Sequence, residues 1–509
     1  QFINMAAFEN LSALLEALPS EDNKLERLQE INAMLMPLHP SALKDVVLNI
    51  TFDVIFDALN TNNSEQLAVC CDVLSKLLSA VEPNLVLNNF YNELLTGLGH
   101  PATSIKMLCV QQVRRASMTH SGELLSRVEI LSEVTSLLGD DSLQLAKVTA
   151  ELLITLGLQT EFLEVLFSES VLQQLRDVLS SSDVNRYRVY ELLVDLVIQT
   201  PASLQYGVSS GILPMMLREM EDGVDVLVRL NCLELLTRLA TCAHGLNYMH
   251  DLGVVERLGV MMNAAEDDPL TALLLPGLIK FFGSVAYLHP QKVLGRYPTF
   301  PDRVFGLLSS GDLTMQGIAV ETLGFVGSTV EGKRALVKYD QQMSSAMSHL
   351  SDLLKGAPPE LRVKAFSAVS SLLNAGCGGV QQETDVLAVT ERWYCHLGAA
   401  PLDTLLPLAA QPFLEVRCEA LGVLRVLAAQ RWGQERLAAH PTFREYLLDR
   451  STETEKEARE AKYHVVHTLA ESPSTAEVLG NVYFVKLKQY QLEGPFYRHS
   501  EAAVAMESG

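Results

Sequence analysis

The chain has 509 residues, too many for one ordinary compact core, and it is too poor in glycine, proline and aromatic residues for a β-sandwich or a propeller. Hydrophobic residues make up 48% of it, which together with abundant leucine and alanine favours an all-helical architecture that grows along one axis. The formal net charge of −22 disfavours nucleic acid and membranes as partners and predicts a protein partner with a basic face.

The N-terminal segment has no basic region followed by a continuous apolar core, and no uncharged apolar run of about eighteen residues follows it. We therefore expect a soluble protein of the cytoplasm, with the nucleus as a second location. Met5-Ala6-Ala7 has the form of a natural start, which leaves two alternatives open: residues 1–4 are foreign to the mature chain, or they are native. The eight cysteines are scattered through apolar runs without a C-x-x-C pair, which predicts buried, reduced thiols.

A helical motif recurs along the chain, and its basic residues Lys106, Lys147, Arg188 and Arg229 are 41 residues apart. The motif has an apolar residue, then a basic or polar residue, then a small residue three positions further on. Later copies begin at Met315-Gln316, Leu361-Arg362 and Val416-Arg417, with a degenerate copy at Leu274. A period near 40 residues is typical of HEAT and armadillo repeats. We therefore expect an all-α solenoid of roughly ten repeats over residues 5–505, clearest at 98–330, with an irregular loop near 374–385.

One of these helices, SSDVNRYRVYELLVDL at 181–196, departs from the repeat frame because acids occupy slots that neighbouring repeats fill mainly with apolar residues. Shifting the frame by one residue, about 100° of helix rotation, restores an apolar stripe. That stripe consists of Val189, Leu192, Leu193 and Leu196. Either the helix simply stacks, with Arg188 and Glu191 paired to adjacent repeats, or the break turns a polar row toward a partner. The candidate partner-binding residues in that row are Arg186, Tyr187, Tyr190, Glu191 and Asp195.

Two motifs look like catalytic loops but have the wrong surroundings. The segment from Gly207 to Gly211 matches G-x-S-x-G, yet a nucleophile elbow requires a preceding strand, so an inter-helix turn is favoured. The segment from Gly327 to Arg334 is one residue short of a phosphate-binding loop, because Arg334 replaces the required hydroxyl. The histidines and paired carboxylates have neither metal-binding nor catalytic spacing. We expect no enzyme activity, no cofactor and no metal.

Several segments of the chain are distinctive. They are NRYRVYELLVDL (185–196), DVLVR (225–229), LLPGLIKFFGSVA (274–286), RYPTFPDRVF (296–305), VEGKRAL (330–336), QPFLEVRCEAL (411–421), AKYHVVHTLA (461–470) and GNVYFVKLKQYQLEGPFY (480–497). Through them, and over nearly its whole length, the chain resembles the chaperone family that assembles the base of the 26S proteasome regulatory particle.

The resemblance implies a non-enzymatic solenoid, monomeric when free, that binds the C-terminal domain of one proteasomal AAA ATPase. It also implies a module with a second ATPase and a large non-ATPase base subunit, which the chaperone leaves before the mature particle forms. The alternative is a transport adaptor of the armadillo type or a general protein-binding scaffold. Such adaptors use regularly spaced Trp and Asn on their inner helices, whereas this chain has only Trp393 and Trp432, outside any recurring ladder.

Overall fold

Every regular element in the computed structural model is helical over the residues that it describes. These are residues 11, 13–15, 17–18, 24–38, 43–44, 47, 50–119, 122–221, 225–265, 268–376 and 384–497. They belong to two units, 1–223 and 224–509. Residues 1–4 and the centre of the expected loop, 377–383, lie outside the described residues. A single solenoid over 5–505 stays a prediction.

The first unit contains fourteen helices in its described part. They are α1 (Lys24–Leu35), α2 (Asp53–Asp57), α3 (Ser64–Ala80), α4 (Pro83–Asn89), α5 (Tyr91–Leu98), α6 (Thr103–Ser117), α7 (Gly122–Leu125), α8 (Val128–Ser136), α9 (Leu143–Gly157), α10 (Thr160–Leu166), α11 (Glu169–Ser181), α12 (Asp183–Val197), α13 (Pro201–Ser209) and α14 (Ile212–Arg218), with a 3₁₀ turn at Leu137–Gly139.

The second unit continues with helices of the same kind. They are α15 (Val226–Leu239), α16 (Ala243–Asp251), α17 (Val254–Ala264), α18 (Pro269–Ala272), α19 (Leu275–Leu288), α20 (Pro290–Arg296), α21 (Thr299–Leu307), α22 (Leu313–Val326), α23 (Val330–Leu336), α24 (Asp340–Gly356), α25 (Pro359–Leu373), α26 (Thr384–Cys395), α27 (Pro401–Ala409), α28 (Leu414–Ala428), α29 (Arg431–Ala439), α30 (Phe443–Leu448), α31 (Lys456–Glu471), α32 (Thr475–Leu479) and α33 (Asn481–Glu493), with a 3₁₀ turn at Val337–Tyr339.

The repeat is a triplet of helices, as in α10, α11 and α12 or in α23, α24 and α25, and its long third helix carries the recurring motif. Third helices pack side by side in each unit. In the first unit these neighbours are α3, α6, α9 and α12, and in the second they are α15, α19, α22, α25, α28 and α31. Stacking of this kind supplies the core that one triplet cannot form alone. The expected all-α solenoid of HEAT or armadillo type is confirmed.

In two copies of the motif, the polar residue binds a carbonyl at the end of the helix that directly precedes its own. Gln316 Nε2 donates to the Leu308 carbonyl at 2.6 Å, and Arg417 Nε donates to the Gln411 carbonyl at 2.7 Å. The last carbonyls of a helix have no partner within that helix, so a side-chain donor stabilises the turn. At these two positions the contact accounts for a polar residue inside an otherwise apolar pattern.

The thiols follow the expected pattern only in part. Cys70, Cys71, Cys109 and Cys232 are buried, as predicted. Cys395 is exposed, which corrects the expectation, because it is the last residue of α26 and lies where the chain leaves the packed layer. No helix within the described ranges is long and apolar enough to cross a membrane.

Candidate protein-binding surface

The shifted frame of α12 is confirmed. Its four stripe residues Val189, Leu192, Leu193 and Leu196 are all buried. Among the candidate partner-binding residues, Glu191 is exposed, whereas Arg186, Tyr187 and Asp195 are partly exposed. The one-residue slip therefore rotates two acids out of the core, as the apolar spacing requires. Partner binding by these four residues stays a prediction.

Tyr190 is the exception in that row, because its side chain is only 2% exposed. Its hydroxyl donates to Glu219 Oε1 at 3.2 Å, and Arg186 Nη1 approaches the same oxygen at 3.5 Å. A tyrosine can bury its ring when the hydroxyl finds an acceptor, and Glu219 provides that acceptor at the end of α14. The expectation that Tyr190 faces a partner is wrong in this structure, and we assign it to the core.

Arg188 has the stacking role that the sequence offered as one of two interpretations. Its Nη1 donates to the carbonyls of Leu138 and Asp140, at 2.9 and 2.8 Å, at the end of the neighbouring repeat's second helix. Helix α12 is thus a stacking helix on one side, while its acids face outward on another. The two interpretations describe different faces of one helix.

Replacing Tyr190 with phenylalanine tests this assignment. We expect the free energy of unfolding to fall by about 1.5 kcal/mol, because a hydrogen bond to a carboxylate is lost while the ring remains packed. Urea unfolding of the purified chain measures the change. Partner affinity should stay the same, and an affinity loss without a stability loss would contradict a purely structural Tyr190.

The second unit carries an aromatic pair on the surface of its third helices. Tyr287 near the end of α19 and Phe325 near the end of α22 stack with ring centroids 4.4 Å apart and an interplanar angle of 10°. The two side chains are 38% and 45% exposed. Aromatic side chains at a surface supply large contact area at low entropic cost, and they are enriched where proteins bind one another. This pair is the strongest candidate contact point in the second unit.

Charged side chains lie one to two turns before the pair on the same helices and on the neighbouring third helix. Glu321 lies one turn before Phe325 on α22. Its carboxylate forms an ion pair with Lys364 Nζ of α25, at a distance of 3.2 Å. Lys280, two turns before Tyr287 on α19, is exposed. An apolar centre with a charged rim is the usual anatomy of a protein interface. We call Lys280, Tyr287, Glu321, Phe325 and Lys364 the aromatic patch.

Sequence reasoning missed the aromatic patch, although one signal for it was present. Glu321 and Phe325 are four residues apart on α22, and both lie in the phase that is opposite to the buried stripe. An aromatic residue in the exposed phase of a repeat helix is therefore worth testing as a contact. Its partner Tyr287 lies 38 residues earlier, and only the stacking of repeats brings the two rings together.

The near match to a phosphate-binding loop has a structural role. Lys333 is 1% exposed, and its ammonium donates to the carbonyls of Gly327 and Ser371, at the ends of α22 and α25. Gln434 makes the equivalent contacts in α29, from Nε2 to the Ala428 carbonyl and to Ser472 Oγ, both at 2.8 Å. For both residues, one hydrogen-bond partner lies six residues earlier in the sequence and the other lies 38 residues later. Lys333 therefore caps helix ends and is inaccessible to a phosphate.

The other motif of this kind is an inter-helix turn, as expected. Gly207 and Ser209 belong to the last turn of α13, and Gly211 adopts a φ of 78° before α14, so a helix and not a strand carries Ser209. In the described residues, no group of three or more His, Cys, Asp or Glu side chains could hold a metal ion.

Replacing Lys333 with glutamine should flatten the pH dependence of stability. Burial lowers the pKa of Lys333 to about 7, so from about pH 7 up to the usual lysine value of about 10.4 the unfolded chain binds more protons than the folded chain. The free energy of unfolding then rises with pH by up to about 1.4 kcal/mol per unit. The glutamine variant keeps a donor but loses this slope. Urea unfolding between pH 6 and 10 measures it.

The reciprocal replacement of Gln434 with lysine is the matched control. It should add a slope of the same sign in α29, because Gln434 is also fully buried and a lysine there would reach the Ala428 carbonyl and the Ser472 hydroxyl. A lysine variant with no added slope, or a Lys333→Gln variant with an unchanged slope, would contradict the assignment.

Comparison with known proteins agrees with this architecture. The family model described as proteasome non-ATPase 26S subunit matches residues 7–509. The 26S proteasome non-ATPase regulatory subunit 5 of Homo sapiens is 36% identical over 498 residues, covering 97% of this chain and 98% of that protein. The protein of the same name from Drosophila melanogaster is 24% identical, over 97% of each chain.

Solved structures show the fold alone. Yeast importin-β (Kap95p) matches with a TM-score of 0.58 and 11% identity, over 93% of this chain and 65% of that chain. The karyopherin Kap121p matches with a TM-score of 0.50 and 14% identity, over 96% of this chain and 51% of that chain. The chain thus spans about half to two thirds of these structures. The full-length family match and the 36% identity show that the chain belongs to the proteasome non-ATPase 26S subunit family of proteasome regulatory subunits.

Proposed function

We propose that this chain is a chaperone for assembly of the base of the 26S proteasome regulatory particle. It holds the C-terminal domain of one proteasomal AAA ATPase, together with a second ATPase and a large non-ATPase base subunit. It leaves before the mature particle forms. The aromatic patch carries this proposal, because a proteasome-family solenoid that exposes stacked aromatics on its third helices has a surface suited to a folded protein partner.

Electrostatics support a basic partner. The net charge of −22 favours encounter with a positively charged surface, and in the first unit Glu191 is exposed on α12. Complementary charge speeds association more than it tightens binding. A chaperone that must later release its client is well served by an interface of that kind.

The transport-adaptor alternative receives no support from the tryptophans. Trp393 is 0% exposed and Trp432 is 7% exposed, so neither is available to clamp an extended peptide. The likeness to importin-β and Kap121p is a likeness of fold, and transport function does not follow from it. As part of the same proposal, the chain is a non-catalytic chaperone that acts in the cytoplasm, with the nucleus as a second compartment.

The proposal is tested by isolating the tagged chain from cells and separating its complexes by size before mass spectrometry. We expect ATPase subunits and a large non-ATPase base subunit in a complex smaller than the proteasome, without core-particle subunits. Recovery only with the complete 26S particle, or only with transport receptors and their cargo, would overturn the assembly role. Imaging of the same tagged chain tests the cytoplasmic location.

A further inference from the structure

The last described helix, α33, exposes an apolar stripe. Val482, Val485 and Leu492 are 78%, 64% and 88% exposed, and Phe496 follows the helix at 48%. The opposite face of α33 is buried against the repeat through Tyr483, Leu487 and Tyr490. The helix is therefore apolar on two sides, although only one side has a packing partner among the described residues.

Exposed apolar residues are unusual on the outer face of a repeat array. Terminal repeats normally present a polar outer face, because no further repeat covers them. Residues at spacings of three and four along a helix share one face, so Val482, Val485 and Leu492 lie on one strip, with the polar Gln489 between the last two. Isolated exposed apolar residues need no explanation, but a strip rimmed by polar groups marks an interaction surface.

A cavity of about 520 Å³ adjoins the strip at Gln489, which belongs to both. Two arginines, Arg450 and Arg459, line this cavity together with Ser451, Glu493, Pro495 and Tyr497. The Arg450 guanidinium lies 3.5 Å from the centroid of the Tyr490 ring and donates to Glu493 Oε2 at 2.9 Å. Arg450 is therefore fixed in place by its neighbours.

Arg459 gives the cavity its charge. Its Nε donates to the Glu453 carbonyl at 2.9 Å, which holds the guanidinium at the cavity wall. Glu493, the carboxylate that lines the cavity, pairs with Arg450, whereas Arg459 interacts with Glu455, which is outside the lining. Lys486 is also exposed on α33, between Val485 and Gln489. In a chain of net charge −22, this is a locally basic and apolar surface.

We propose that the strip and the cavity together form a second docking surface, for an acidic amphipathic helix of a partner protein. The apolar side of that helix covers Val482, Val485 and Leu492, and one of its carboxylates binds Arg459. A carboxylate suits a guanidinium because the two can form paired, charge-assisted hydrogen bonds. This surface is basic, as the face of the main partner is also expected to be, so the acidic helix that binds here belongs to a different contact.

A second copy of the chain fits this surface poorly. A stable dimer buries about 800 Å² on each partner, from roughly 20–30 residues, which a strip of four side chains does not approach. Two copies packed antiparallel on α33 would also bring Lys486 near its counterpart, and like charges in contact are unfavourable. An oppositely charged helix avoids both problems.

The probe is a fluorescein-labelled helical peptide of about 20 residues, with leucines on one face and glutamates on its flanks. Fluorescence anisotropy with the full chain should show saturable binding. We expect Val485→Asp and Arg459→Glu each to weaken it at least tenfold. A peptide with lysines in place of the glutamates should not bind. Equal binding of the two peptides, or no loss in either variant, would overturn the proposal.

Matched controls separate the docking surface from general effects. Val260→Asp changes a valine that is 66% exposed on α17, and Arg425→Glu changes an exposed arginine on α28. Both controls should bind the peptide as the unaltered chain does, and circular dichroism should show all four variants folded. Loss in the controls equal to that in the test variants would overturn a specific site.

Two further outcomes concern other occupants of the surface. A chain that ends at Tyr497 should bind the peptide with an unchanged Kd, whereas tighter binding would reassign the surface to the chain's own residues 498–509. A dimer in sedimentation that Val485→Asp dissociates would reassign it to a second copy. Either result would overturn the proposal, and neither would affect the proposed assembly role.

Discussion

A chain with alanine at both Tyr287 and Phe325 is expected to bind its ATPase partner roughly 100-fold more weakly than the unaltered chain. Interface aromatics that act as hot spots contribute about 2 kcal/mol or more when truncated, and each 1.4 kcal/mol is about a tenfold change in Kd. The two rings stack on one another, so their effects are not additive and the double variant is the informative one. Calorimetric titration with the purified ATPase C-terminal domain measures the loss.

Stability must be followed in the same variants. An aromatic stack contributes about 0.5–1.5 kcal/mol to the free energy of unfolding, beyond the effect of the area that it buries. The double variant should therefore unfold at only a slightly lower urea concentration. Phe413→Ala is the matched control, because Phe413 is an exposed aromatic at 67% that precedes α28, outside the aromatic patch. An equal affinity loss in that control, or an unchanged affinity in the double variant, would contradict the role of the patch.

The periodic features of the fold could be predicted from the sequence because apolar spacing directly reflects burial. The slipped frame of α12 is the clearest example, since moving the stripe to Val189 correctly placed Glu191 outside the core. Tyr190 could not be placed in this way. Its burial depends on an acceptor from Glu219, 29 residues later, and helical periodicity contains no information about a contact between helices.

Contact surfaces could not be predicted for a related reason. The aromatic patch exists because α19 and α22 lie side by side, and the acidic-helix surface exists because Arg450 and Arg459 converge beside α33. Each combines residues from different elements, and neither leaves a short motif. Lys333 is the converse case, because a near motif was present, the sequence already disfavoured phosphate binding there, and the structure uses the lysine to cap two helix ends.

Among the variants considered, Glu453→Ala is expected to lower the free energy of unfolding the most, by about 3–5 kcal/mol. Such a loss is typical when one partner of a buried ion pair is removed. Glu453 is 2% exposed and joins three helices. Its carboxylate binds Arg417 Nη1 at 3.1 Å, accepts from the Tyr446 hydroxyl at 3.3 Å and lies 3.8 Å from Lys462 Nζ. Alanine would leave two cations buried without their shared anion. Urea unfolding at pH 7 measures the loss.

The matched control is Glu455→Ala, because Glu455 also pairs with Arg417, at 3.2 Å, but its side chain is 44% exposed. Exposed ion pairs contribute about 0–1 kcal/mol, so this variant should be nearly as stable as the unaltered chain. Equal losses in the two variants would show that burial is not what makes Glu453 important.

The pH dependence gives an independent check on the Glu453 network. Burial lowers the pKa of Lys462 to about 8, against the opposing effect of Glu453, so removal of Glu453 should lower that pKa further. In both chains the unfolded state then binds more protons than the folded state above the lowered pKa, and stability rises with pH. The rise begins at a lower pH in Glu453→Ala. The loss in free energy of unfolding that Glu453→Ala causes should therefore be smaller at pH 9 than at pH 7. At pH 9 Lys462 is largely neutral and is not destabilised by the missing carboxylate, whereas Arg417 is still charged. A deficit that grows with pH would contradict the pairing of Lys462 with Glu453.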